Sequence, residues 1–145
     1  MSHLPANPGC ARRFEEVEHT ADRALRIWGC DLAELFVNAA LGMNSLMLAR
    51  DGGNTPALAK HITLEAIDAE NLLVAWLSEL AFWAETELLI FTGFEFRRIS
   101  PTGLSALARG ARVGALEKHI KAVTFHNLEI SSASDGLSTT VVFDV

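Results

Sequence analysis

Cysteine is scarce in this chain: Cys10 and Cys30 are the only two in 145 residues. Two are too few for the disulfide frameworks that staple small secreted folds, and neither sits in a CxxC or a Cys/His cluster with zinc-ligand spacing. The pattern points to a reducing, cytoplasmic compartment. Positive charge is the second shortage. Twelve Lys and Arg face 18 Asp and Glu, giving a net charge of -6 and a pI near 5.3. That is the wrong sign for affinity built on neutralising many phosphates, so strong direct nucleic-acid binding is disfavoured. Long apolar runs are missing as well. The richest stretch, Leu72 to Ile90, is broken by Glu79, Glu85 and Glu87, short of the roughly 20 uninterrupted apolar residues of a membrane helix. No membrane association is expected. The chain also lacks a Walker loop, a GxGxxG after a strand, HExxH, GxSxG and an EF-hand loop, which removes the familiar nucleotide, peptidase, hydrolase and calcium signatures.

What is present is enough apolar side chain for a core. Half the residues are hydrophobic, 21% are charged and the mean hydropathy is +0.23, values that exclude a disordered chain and suit one compact domain of this length. The first residues, MSHLPANPGCA, have neither a charged n-region nor an apolar h-region and read as a loose arm over residues 1–12. Residues 13–145 form the expected domain. From Phe14 to Gly29 the pattern is two short strands, or one strand with a break at His19-Thr20-Ala21-Asp22. Asp31 then caps a helix in which Leu32, Leu35, Phe36, Ala39, Ala40, Met43, Leu46 and Met47 recur at helical spacing, with Asp31 and Glu34 placed as a capping box. Turn chemistry occupies Arg50 to Pro56. Ile62, Leu64 and Ala66 alternate as a strand, and Asp68 caps a second helix with Leu72, Leu73, Trp76, Leu77, Leu80 and Ala84 on one stripe. Phe94 and Phe96, the turn Ser100-Pro101-Thr102-Gly103 and the alternating Leu104, Ala106 and Ala108 read as an antiparallel hairpin. Two final strands, Ile120 to Ile130 and Leu137 to Val145, join through Ser134-Asp135-Gly136, where Asp-Gly supplies positive backbone angles. The order predicts an α+β fold: two amphipathic helices packed on one face of a mostly antiparallel sheet, in a single layered domain.

Three polar features lie in or beside these strands. Glu18-His19-Thr20-Ala21-Asp22 gathers two carboxylates, an imidazole and a hydroxyl, a set that can bind metal; taken alone, a polar turn capped by Asp22 is the simpler reading. Asp144 is a lone carboxylate in the apolar strand Val141-Val142-Phe143-Asp144-Val145. It either reaches solvent or meets a cation, and if Val145 is the natural end its α-carboxylate adds oxygen donors suited to a hard cation. Lys121 is unusual among Ile120, Ala122, Val123, Thr124 and Phe125. It reads either as an edge-strand charge that blocks aggregation or as a contact to a phosphate or an acidic partner. Trp28, Trp76 and Trp83 suit packing better than base stacking, since none lies in a basic stretch. Arg97, Arg98, Arg109 and Arg112 form the local positive concentration and read as a solvated face.

Identity and order then tie these features together. Phe14-Glu15-Glu16-Val17-Glu18-His19-Thr20-Ala21-Asp22 resembles the amino-terminal strand and HTAD motif of the archease family, and Leu73-Val74-Ala75-Trp76-Leu77-Ser78-Glu79-Leu80 looks like its second-helix segment. Ile120 to Ile130 is similar to its IKAVTYH-type strand, and Val142-Phe143-Asp144-Val145 to its FD-plus-aliphatic ending. The resemblance covers residues 14 to 145. It implies an accessory protein, not an enzyme, that activates an RtcB-type RNA ligase in tRNA splicing and RNA repair by promoting ligase guanylylation and multiple turnover, and that can broaden nucleotide use. It implies a divalent cation, Ca²⁺ first, with Mg²⁺ or Mn²⁺ as substitutes, held by Asp22, Asp144 and Val145. Lys121, with His19 of the HTAD motif, is implied as the element that activates the partner. Three positions depart from the family pattern: His119 stands where an acidic residue is common, Phe125 replaces a tyrosine, and Arg23 follows the motif where small or aliphatic residues are frequent. Two rival readings are a metal-dependent hydrolase with His19 as base beside Asp22 and Asp144, and a generic chaperone-like protein-binding module. The residues do not specify an oligomeric state.

Overall fold

The computed structural model describes residues 13–17, 22–48, 57–125 and 127–145. The expected arm over residues 1–12 and the expected turn over residues 50–56 lie outside them. Among the described residues the order is β1 (Phe14–Val17), β2 (Arg23–Gly29), α1 (Leu32–Met47), β3 (Leu58–Glu65), α2 (Ala69–Glu87), β4 (Leu89–Ser100), β5 (Gly103–Arg112), β6 (Ala122–Thr124), β7 (Ser131–Ala133) and β8 (Gly136–Asp144). The α+β class and the antiparallel pairing are as the sequence predicts. The strands form two sheets, however, not one. The first runs β1-β2-β8-β6 with β7 also on β8, and the second runs β3-β5-β4. Both helices touch strands of both sheets, so the two sheets and two helices close around one apolar core.

The helices begin where capping chemistry places them. Asp31 accepts from the Glu34 amide at 2.8 Å, while Glu34 Oε1 takes the N–H of Cys30 at 2.7 Å, one residue outside the usual capping-box partner. Asp68 caps α2 by accepting from the Asn71 amide at 2.8 Å. Every residue of the predicted α2 stripe is buried. Trp76 is fully buried at its centre, donates from Nε1 to the Phe36 carbonyl at 3.0 Å, and packs against Phe36, Phe94 and Phe96 with ring centroids 5.3 to 6.2 Å apart. Two buried asparagines on α1 fix the helix to both sheets: Asn38 donates to the Trp28 carbonyl and Asn44 to the Phe91 carbonyl, each at 2.7 Å. Nothing in the periodicity signals these two ties.

Two further sequence expectations need correction. Ile120 to Ile130 is not one strand: β6 stops at Thr124, because Leu128 donates its amide to the Phe125 carbonyl at 3.1 Å and Asn127 takes a left-handed φ of 57°. The hairpin partner of β8 is therefore the separate strand β7. Its two-residue turn, Ser134-Asp135, is closed by the Ala133–Gly136 pair, and of Asp135 and Gly136 only the glycine has a positive φ, 123°. Within β4, Gly93 lies at a register shift. The helix-to-strand change occurs earlier, at Leu88, whose left-handed φ of 55° ends α2 without a glycine or proline.

Candidate metal site at three strand ends

The register of the five-stranded sheet sets the geometry. β2 and β8 pair from Gly29–Leu137 through Arg23–Phe143. Asp22 is one residue before the last of these pairs and Asp144 one residue after it, so both carboxylates are carried on the same outer step of adjacent strands. On the other edge of β8, Ala122 of β6 pairs with Asp144, and Lys121 donates its amide to the Asp144 carbonyl at 2.7 Å. Phe143, one step inside, is fully buried and anchors the end of the strand. Asp144 and Lys121 are exposed, Asp22 and Val145 half-buried. Asp22 and Asp144, 122 positions apart in the chain, are thus carried to adjacent strand ends, and Lys121 beside them, because β8 is inserted between β2 and β6.

Of the residues singled out from the sequence, Asp22, Asp144, Val145 and Lys121 fall at this one end of the sheet. His19 lies outside the described residues. Lys121 precedes the first residue of β6, an edge strand, so either of its two readings is compatible with its position. The candidate donors are two carboxylates and main-chain oxygen, hard ligands of the kind that suit Ca²⁺ or Mg²⁺, and fewer than the roughly six to eight oxygens, waters included, that Ca²⁺ takes. Among the described residues no group of three or more His, Cys, Asp and Glu is clustered for a metal; a cation here would need main-chain and water oxygens beside the two carboxylates.

The surroundings account for two of the three departures. Arg23, which adds positive charge beside Asp22, pairs with Glu16 across β1 and β2. His119 reaches back to α2: its Nδ1 lies 2.8 Å from Glu85 Oε1, and Glu85 Oε2 accepts the Ile120 amide at 3.0 Å. Phe125 is exposed just beyond β6. Elsewhere Trp83 donates to Glu79 at 3.0 Å beneath the Lys60 ammonium, and Arg26 stacks over Trp28, so these indoles are occupied by packing. Arg112, at the end of β5 in the other sheet, pairs with Glu87 at the end of α2 at 3.0 Å.

The archease protein family (MTH1598/TM1083) matches residues 14–145 of this chain. The chain belongs to that family. The protein archease of Methanosarcina acetivorans is 34% identical, with 95% of this chain and 99% of that one covered. The protein archease of Methanosarcina barkeri is also 34% identical, over 92% and 97% of the two chains. The solution structure of protein 1598 from Methanobacterium thermoautotrophicum superposes with a TM-score of 0.68 at 32% identity, covering 91% of this chain and 98% of that one. The crystal structure of an archease from Thermotoga maritima, described as a possible chaperone, gives 0.67 over 99% and 100% at 23% identity, which speaks to the fold alone. Among the described residues no helix of this archease is long and apolar enough to cross a membrane.

Sequence reasoning missed Glu85. Its partners His119 and Ile120 are 34 and 35 residues away, and a glutamate in the last turns of an amphipathic helix carries no local sign of a tertiary role. The one available signal was the unexpected imidazole at His119.

Proposed function

We propose that this archease is a non-catalytic accessory protein of an RtcB-type RNA ligase. It binds a divalent cation through Asp22, Asp144 and a main-chain oxygen of Val145, and presents that end of the sheet, with Lys121, to the ligase, promoting guanylylation and multiple turnover. The observation that supports this reading is the register of β2, β8 and β6, which carries the two carboxylates and the lysine to adjacent strand ends. When bound, the cation supplies a concentrated positive charge. The chain's own residues do the rest. The two carboxylates hold the cation at an exposed rim. The buried Phe143 keeps Asp144 at that rim, and the exposed ammonium of Lys121 offers a mobile point charge to a phosphate or carboxylate of the partner.

The test combines purified ligase, RNA and GTP with the wild-type chain or Asp144→Ala. Wild type raises ligase guanylylation and turnover, and the variant, still folded, does not. No rise with wild type would overturn the ligase reading and leave the chaperone-like one; full stimulation by the variant would remove the cation site from the mechanism.

A further inference from the structure

We infer that Glu85 is a positioning residue for this site, a clamp on α2 that sets where β6 starts and so holds Lys121 against Asp144. The inference rests on the function proposed above. Between β5 and β6 the chain runs from Val113 to Lys121 without regular structure. Val113 donates to the Leu88 carbonyl at 2.8 Å, Glu117 and Lys118 donate to the Met47 carbonyl at 2.8 and 3.3 Å, and Leu116 and Ile120 bury their side chains. At its end, both oxygens of Glu85 are used on consecutive residues, Oε1 on His119 Nδ1 and Oε2 on the Ile120 amide. The next amide, that of Lys121, goes to the Asp144 carbonyl. Two successive main-chain N–H groups are therefore bound on one side by a helix carboxylate and on the other by the strand of the candidate site.

The arrangement has positional consequences. β6 is three residues long, and a strand of that length sets its own register weakly. A slip of one residue would exchange Lys121 for Ile120 or Ala122 at the rim. Glu85 opposes the slip because its carboxylate fits one amide–imidazole pair only. Glu85, Ile120 and Lys121 also line a groove of about 260 Å³ between α2 and β6, with Ala81, Phe82 and Val123, so the clamp defines the end of the groove from which Lys121 projects. An acidic residue at position 119 would set two carboxylates against each other. His119 instead completes the clamp, a feature of this chain's own sequence.

The test compares wild type with Glu85→Ala, Glu85→Gln and His119→Ala by two readouts. The first is amide hydrogen exchange, which involves neither cation nor ligase. In Glu85→Ala the Lys121 amide exchanges about tenfold faster or more, the scale of one lost hydrogen bond at a part-buried amide, while amides of the β4–β5 hairpin keep their wild-type rates. Glu85→Gln, whose side-chain carbonyl still accepts from Ile120, restores most of the protection, and His119→Ala falls between. The second readout is ligase stimulation: Glu85→Ala needs about tenfold more protein for half-maximal effect yet reaches the wild-type maximum, and Glu85→Gln recovers most of the difference. Unchanged Lys121 exchange in Glu85→Ala overturns the clamp, as does acceleration spread evenly over all strands, which marks a general stability role. Should Glu85→Ala not fold, Glu85→Gln and His119→Ala decide by the same two criteria. A wild type that never stimulates the ligase defeats the proposed function while the exchange result still rules on the clamp.

Discussion

Asp144→Ala removes one of the two carboxylates that the β2–β8 register brings to adjacent strand ends. Without a cation, two unit charges about 5 Å apart, the spacing of paired strands, repel by about 1 kcal/mol in a water-like dielectric, and salt reduces this further. The Asp144 side chain is exposed, so little burial is lost, and the hydrogen bond from Lys121 uses the main-chain carbonyl, which alanine keeps. The metal-free variant is therefore as stable as wild type, or up to about 1 kcal/mol more stable. With Ca²⁺ at a hundred times its dissociation constant, wild type gains about 2.7 kcal/mol by mass action. For a domain of this size that is a rise in Tm of about 8 °C. The variant, short of a charged ligand, gains little at the same Ca²⁺ concentration. Adding the ion therefore makes wild type the more stable of the two. Thermal unfolding followed by circular dichroism, first in EDTA and then across a Ca²⁺ titration, reads both effects. An equal Ca²⁺-induced rise in the two proteins would place the cation elsewhere. A variant several degrees less stable in EDTA would make Asp144 a structural residue and refute the electrostatic reasoning.

Lys121→Ala should leave Tm and the Ca²⁺ response within error of wild type, because the ammonium is exposed and only the amide is bonded, yet abolish ligase stimulation; retained stimulation, with aggregation of the variant, would favour the edge-strand role. Trp76→Ala removes the largest fully buried side chain and its hydrogen bond to Phe36, and should cost about 3–5 kcal/mol in urea unfolding. Gly29→Ala places a Cβ 2.3 Å from the Leu35 amide nitrogen and 2.6 Å from its Cα. Backbone atoms of α1 cannot yield as a side chain would, so a loss of at least about 2 kcal/mol is expected by the same assay; a loss under about 0.5 kcal/mol would mean that α1 moves away freely.

Much of the fold was legible because local chemistry and tertiary demand agree. Asp31 and Asp68 cap the helices they were expected to cap, and the α2 stripe is the buried stripe. The failures occur where a single residue does what composition does not announce. Leu88 takes a left-handed conformation with no glycine, and its apolar neighbours conceal the change from helix to strand. Asn127 breaks a segment whose alternation continues past Thr124. The division into two sheets was hidden because pairing partners are set by the chain's path around the core, and alternation on each strand is the same in either arrangement. The candidate site was legible in its residues and not in its assembly. Asp22 and Asp144 each read as bland in isolation, and their proximity depends on β8 lying between β2 and β6, a non-local fact.

The correction to β6 bears on the site itself. β8 shares one edge between two short partners, β7 at Gly136 to Ser138 and β6 at Val142 to Asp144, while β2 pairs along the other edge from Leu137 to Phe143. On the β6 side, the end at Asp144 is therefore held by only three paired residues. A long strand over Ile120 to Ile130 would have fixed Lys121 by its own ladder. A three-residue strand cannot, and contacts from outside the sheet have to supply the register. In this structure they come from α2, through Glu85 to His119 and Ile120, and from the burial of Ile120 and Val123 beside that helix. The same arrangement bears on the charge. A net of -6 argues against this chain gripping RNA itself, and Asp22 and Asp144 concentrate part of that charge at one exposed rim. On the proposed function, that charge would draw the cation and repel an RNA backbone, which suits a protein partner better than free RNA.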